Sequence, residues 1–144
     1  MSGTARTKII EALVELLKTI DGTGTFRSDL SQNVEGKLLF WDDIAEHPYV
    51  SLVSGGEERE YLPGGFRWGH LAVSIKIFVN EENAKQAVEN IFYDIETLLD
   101  SNIDLEYDTG VNTTDIRILS ISDDQGLLEP LGVGEIEIQV RYQI

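Results

Sequence analysis

The sequence predicts an α+β fold, with two helices packed on one face of a four-stranded, mainly antiparallel sheet in the order helix, strand, strand, helix, strand, strand. Three observations predict it. Two stretches carry apolar residues at three- and four-residue spacings, and others alternate apolar and polar residues strictly. At 144 residues the chain is also long enough for one ordinary domain with a real core and too short for two. A single domain over 1–144 is therefore expected, holding two apolar stripes that one sheet face can bury.

The first helix lies in ARTKIIEALVELLKTIDG, where Ile9, Ile10, Leu13, Leu16, Leu17 and Ile20 share one face and Gly22 supplies a stop. From residues 23 to 48 periodicity disappears, so a long irregular loop is expected. It holds an apolar knot, Leu38 to Trp41, in which Leu39, Phe40 and Trp41 favour a docked segment over a free one. YVSLVSG reads as a short strand broken by Gly55 and Gly56, and EEREYLPGG as a charged connector or hairpin arm.

A long strand follows. Leu71, Val73, Ile75, Ile77 and Val79 fall on one face, with Ser74 and Lys76 on the other. Asn80 is the candidate N-cap of the second helix, with Glu81 and Glu82 in its first turn. In that helix Ala84, Ala87, Val88, Ile91, Phe92, Ile95, Leu98 and Leu99 form the apolar stripe, and Lys85, Glu89, Asp94 and Glu96 lie mostly opposite. SNIDLEYDTGVNT is a polar connector and DIRILSISDD a strand. DQGLLEPLGVG supplies turn residues. The closing strand alternates Ile136, Ile138, Val140, Tyr142 and Ile144 against Glu135, Glu137, Gln139 and Arg141.

Composition narrows the function. No cysteine is present, which excludes disulfides, thiolate metal sites and a cysteine nucleophile. The formal charge of −15 argues against binding a phosphate backbone, which needs clustered Lys and Arg. No apolar run approaches the roughly 20 residues of a membrane span, and the first residues lack a secretory signal. A soluble protein made in a cytoplasm is expected.

Catalytic chemistry finds little support. No serine sits in a nucleophile elbow, and GTGTF lacks the remaining features of a dinucleotide or P-loop fingerprint. His47 and His70 stand apart, with no second histidine at metal-binding spacing. Asp104, Glu106 and Asp108 imitate a calcium loop but lack its glycine and terminal glutamate, and Asp42 with Asp43 reads as solvated surface. No catalytic residue, metal or cofactor is nominated, and no enzyme activity is expected.

Interaction remains. Phe66, Arg67 and Trp68 open the long strand behind Pro63, Gly64 and Gly65. Extended, residues 66–79 reach about 46 Å at about 3.3 Å per residue, against roughly 17 to 20 Å for a usual strand. Either the strand bends at Gly69 with Trp68 in its own core, or its first half projects, as a strand or hairpin, to a partner. Aromatic residues and Arg favour projection.

Four stretches, WDDIAEHPYVSLVSGGEE, HLAVSIKIFV, VENIFYDIETLL and SDDQGLLEPLGVGEIEIQVRY, together with the order of elements, resemble the phage tail terminator, or tail-completion, family. The resemblance covers most of the chain from Trp41 onward. It implies a virion protein near the neck that forms a ring, expected to be a hexamer, on the tail tube protein, stops tube growth and meets the neck or head–tail connector protein. In contractile tails it also implies contact with the last ring of sheath protein. Tyr61, Phe66, Arg67, Trp68 and His70 are then the expected subunit interface. Six copies at −15 would carry a formal −90, letting DNA pass without specific binding, and Glu135 and Glu137 are assigned to a lumen or ring surface. The alternative is a monomeric head–tail joining or assembly-chaperone module that forms no ring.

Overall fold

The computed structural model describes residues 4–144, apart from the side chain of Trp41. The two periodic stretches form helices α1 (Ala5–Leu17) and α2 (Ala84–Asp100). Thr4 caps α1 by accepting a hydrogen bond from the Thr7 amide at 3.3 Å. The strands are β1 (Val34–Glu35), β2 (Tyr49–Tyr61), β3 (Arg67–Asn80), β4 (Glu106–Asp108), β5 (Val111–Asn112), β6 (Asp115–Asp123) and β7 (Leu131–Gln143). They form a five-stranded sheet in the order β1-β2-β3-β7-β6, with β4 and β5 as a separate hairpin.

The expected four-stranded sheet and its αββαββ order therefore need correction. The fifth strand, β1, comes from the 23–48 loop and pairs parallel to β2 at only two positions, Val50 and Ser51. Strands of two or three residues are too short to display alternation, which is why β1 and the β4–β5 hairpin escape the pattern. The four long strands are the expected ones, and all their mutual pairings are antiparallel.

Both helices pack on the face that carries Leu71, Val73, Ile75, Ile77, Val79, Ile136, Ile138 and Val140, and all these residues are buried in one core. Gly132 and Gly134 are not turn residues. They lie within β7 beneath α2, where a Cβ on Gly134 would stand 2.6 Å from Phe92 Cζ. Bare backbone there lets the helix approach the strand.

Two further expectations change. Asn80 ends β3 rather than capping α2; Asn83 occupies the cap, so Glu81 and Glu82 precede the first turn. Asp94 does not face solvent, being only 1% exposed. It accepts hydrogen bonds from the Arg27 amide at 2.9 Å, the Ser28 amide at 2.8 Å and Ser28 Oγ at 2.5 Å, so α2 holds the 23–48 loop in place. Further along that loop Leu39 is buried and the Lys37 carbonyl accepts from Ser51 Oγ at 2.5 Å. Leu39 and Phe40 border a hollow of about 260 Å³ with Lys76, Phe78, Val133 and Glu135, on the sheet face away from the helices.

Candidate interaction surfaces

The strand that looked too long for one sheet neither bends into the core at Gly69 nor runs unpaired. It pairs with β2 from Tyr61 to Tyr49 and with β7 from Gln143 to Leu131. Length is accommodated because all three central strands are long, and only the turn joining β2 to β3 passes beyond the sheet. Residues 55 and 56 do not break β2; they form a bulge within it.

The turn is a single 3-10 turn, Pro63–Gly65, in which Gly64 and Gly65 take positive φ values of 85° and 82°, a region open to glycine. The Leu62 amide closes it on the Phe66 carbonyl at 2.8 Å. Tyr61 is 67% and Phe66 57% exposed, and Leu62 beside them is also exposed. Arg67 stands 5.9 Å from the centre of the Tyr61 ring on the helix-bearing side of the sheet.

Trp68 and His70 alternate to the opposite, open side. There Arg141 lies over the Trp68 ring at 4.8 Å, and His70 Nε2 is 3.3 Å from Glu60 Oε1. The five residues expected to act together thus divide into an apolar tip with Arg67 and a half-buried polar pair on the other face. Arg141 joins that pair unforeseen, since a strand's alternation says which face a residue takes but not which neighbour it meets.

A second unforeseen group sets the base of the hairpin. Glu57, its side chain 4% exposed, lies within 2.9 Å of Arg59 Nε and 3.7 Å of Arg6, and accepts from Tyr142 Oη at 2.5 Å. Burial, reinforced by the carboxylate, pushes the Tyr142 phenol up to about 12. Gly69 leaves room for this arrangement, since a Cβ there would come within 2.6 Å of the Tyr142 ring.

Glu135 and Glu137 project from the open face, as their alternation predicts. Glu137 is tied down, accepting from Ser74 Oγ at 2.8 Å, and Glu135 stands in register with Lys76. Among the acids with calcium-like spacing, Asp108 pairs with Lys8 at 2.7 Å, and this hydrogen bond holds its carboxyl below the usual range. Glu106 accepts from the Gly110 amide. Among the described residues no three His, Asp or Glu side chains converge as metal ligands would. What these surfaces offer chemically is strand edges, aromatic area and charge.

Among the described residues both margins of the sheet lack a full partner: on its outer side β2 is paired by β1 only at Val50 and Ser51, and β6 has no outer neighbour. Leu119 and Ile121 are exposed on β6, which is unusual for an edge strand, normally blunted by charge.

Comparison with known proteins gives this architecture a family. The solved virion of a native gene transfer agent particle contains a chain of the same fold, with TM-score 0.62 and 13% identity, covering 99% of this chain and 100% of that one. The tail tube terminator protein of Escherichia phage T5 is 34% identical over 150 residues, spanning 96% of this chain and 93% of its own. A family model described as bacteriophage tail tube terminator protein matches residues 3–144. The chain therefore belongs to the bacteriophage tail tube terminator proteins, structural components of the phage virion.

Proposed function

We propose that this protein ends growth of the phage tail tube by closing a ring of its own copies, expected to be six, on the last ring of tube protein. The far side of the ring would receive the neck or head–tail connector protein, and in a contractile tail its rim would meet the last ring of sheath protein. The observation that carries the ring is the pair of unpaired margins on opposite sides of one sheet. Joining unlike surfaces head to tail generates a closed ring when the rotation closes, and covers both edges.

Tyr61 and Phe66 at the hairpin tip, with Arg67 beside the Tyr61 ring, are suited to the ring or tube contact because their aromatic area is exposed. Trp68 and His70 contribute from the other face. With the helices on one side, the open face holding Glu135 and Glu137 is the candidate lumen wall, where negative charge would keep DNA from adhering.

Electron microscopy of tails assembled with a Tyr61→Ser, Phe66→Ser variant tests the reading. Both positions are exposed, so the chain should still fold. Tubes of uncontrolled length lacking a terminal ring are expected; tails of normal length with rings in place would refute it.

A further inference from the structure

We infer that β6 of one copy adds to β2 of the next, residues 115–123 lying antiparallel to residues 52–60 with Arg117 opposite Glu58, so that each join continues the sheet. This rests on the ring reading and specifies its joint.

Length is the first argument. β6 has nine residues, none with an outer strand partner among the described residues. On β2 the outer side becomes free immediately after Ser51, where β1 stops, and residues 52–60 match β6 one for one. A cavity of about 590 Å³, bordered by Ile10, Val14, Gly36, Val53 and Ser54, lies along this stretch and leaves it accessible.

Strand sense is the second. β2, β3, β7 and β6 are successively antiparallel, so β6 runs opposite to β2 within one copy. A neighbour rotated about an axis along the strands keeps its strand directions and faces. Its β2 therefore meets β6 antiparallel, with all the open faces on one side of the ring.

Register is the third and most restrictive. Each edge carries one bulge, between Ile118 and Ser120 on β6 and between Ser54 and Glu57 on β2. Setting Arg117 against Glu58 brings the bulges opposite each other. Ile118 and Glu57, and beyond the bulges Ile121 and Ser54, then lie on the helix side of both strands. Shifting by one residue would put every pair on opposite faces.

Side chains agree with this register. Leu119, 58% exposed, falls over Gly55 and Gly56, and an added Cβ on Gly56 would meet nothing within 4 Å. Ile121 comes beside Ser54 at the mouth of this cavity, where Ile10 and Val14 offer apolar contact among polar neighbours. Arg117, whose partner within the copy is Asp115, gains Glu58, which has none among the described residues. The one directly opposed like-charged pair is Asp115 and Glu60, in which Asp115 is paired with Arg117 and Glu60 stands 3.3 Å from His70 Nε2.

The absence of native cysteine makes disulfide trapping a direct test. In a Glu58→Cys, Arg117→Cys chain the two thiols of one copy stand three strand spacings apart, about 14 Å. That exceeds the roughly 7 Å limit for a disulfide, so any bond formed joins two copies. Oxidising rings assembled on tail tubes should give a ladder of covalent multimers on a non-reducing gel, collapsing to the 16.1 kDa monomer on reduction. A Val53→Cys, Arg117→Cys chain, out of register, should give none. As a second variant set, Glu58→Arg alone should lose assembly, and adding Arg117→Glu should restore it. Rings that form without a 58–117 ladder would overturn the strand pairing and leave the ring standing. Failure to form rings under any condition, wild type included, would overturn both.

Discussion

Replacing Asp94 by alanine removes the acceptor that three donors of the 23–48 loop share: the Arg27 amide, the Ser28 amide and Ser28 Oγ. The hydroxyl can turn to another partner, but the two amides cannot. Both amides are part-buried and bonded to a carboxylate; losing one such bond costs about 1–3 kcal/mol, so the pair should cost about 2–6 kcal/mol. For a chain of this length, at about 3 °C per kcal/mol, the melting temperature should fall by roughly 6–18 °C. Urea unfolding followed by circular dichroism would give the free energy, and hydrogen exchange at Arg27 and Ser28 would locate the loss. Asp94→Asn, which retains one carbonyl acceptor, should fall between wild type and Asp94→Ala. A loss below about 1 kcal/mol, or unchanged exchange at the two amides, would refute the account of Asp94 as the loop's anchor.

Alkaline stability tests the buried phenols. The pKa of Tyr142 is raised from an ordinary 10.0 to about 12, by burial and then by Glu57, and that of Tyr49 likewise, by burial and then by Glu35. Because the folded values lie above the unfolded ones, their contribution is fully present below pH 10 and is lost as pH rises through about 12. Thermal unfolding between pH 9 and 12 should steepen in wild type and flatten in Tyr49→Phe, Tyr142→Phe; equal slopes would contradict the assignment. Changing both Glu135 and Glu137 to lysine should slow DNA ejection from otherwise complete particles by making the lumen wall attractive to phosphate. Unchanged ejection would remove these residues from the lumen.

Much of the architecture was legible locally. Both helices and the four long strands announce themselves through apolar spacing, because a backbone of fixed period must place its buried residues at that period. The 23–48 loop has no such period, and its two-residue strand could not be read. In the candidate interaction surface the aromatic tip was legible as a composition signal, while Arg141 over Trp68 and the group around Glu57 were not. They join residues that lie far apart in sequence: Tyr142 reaches Glu57 across 85 positions.

By itself, then, the sequence determined which residues alternate, which faces are apolar, that the chain is strongly acidic and that it resembles the tail terminators. Tertiary structure alone decided that the long strand is paired on both sides, that Gly132 and Gly134 lie under α2, that Asp94 turns inward to hold a loop, and that two margins of one sheet stay open. The division has a physical cause. Periodicity is imposed over a few residues by backbone geometry, whereas a bulge, a buried carboxylate or a free strand edge is fixed by the distant elements packed around it.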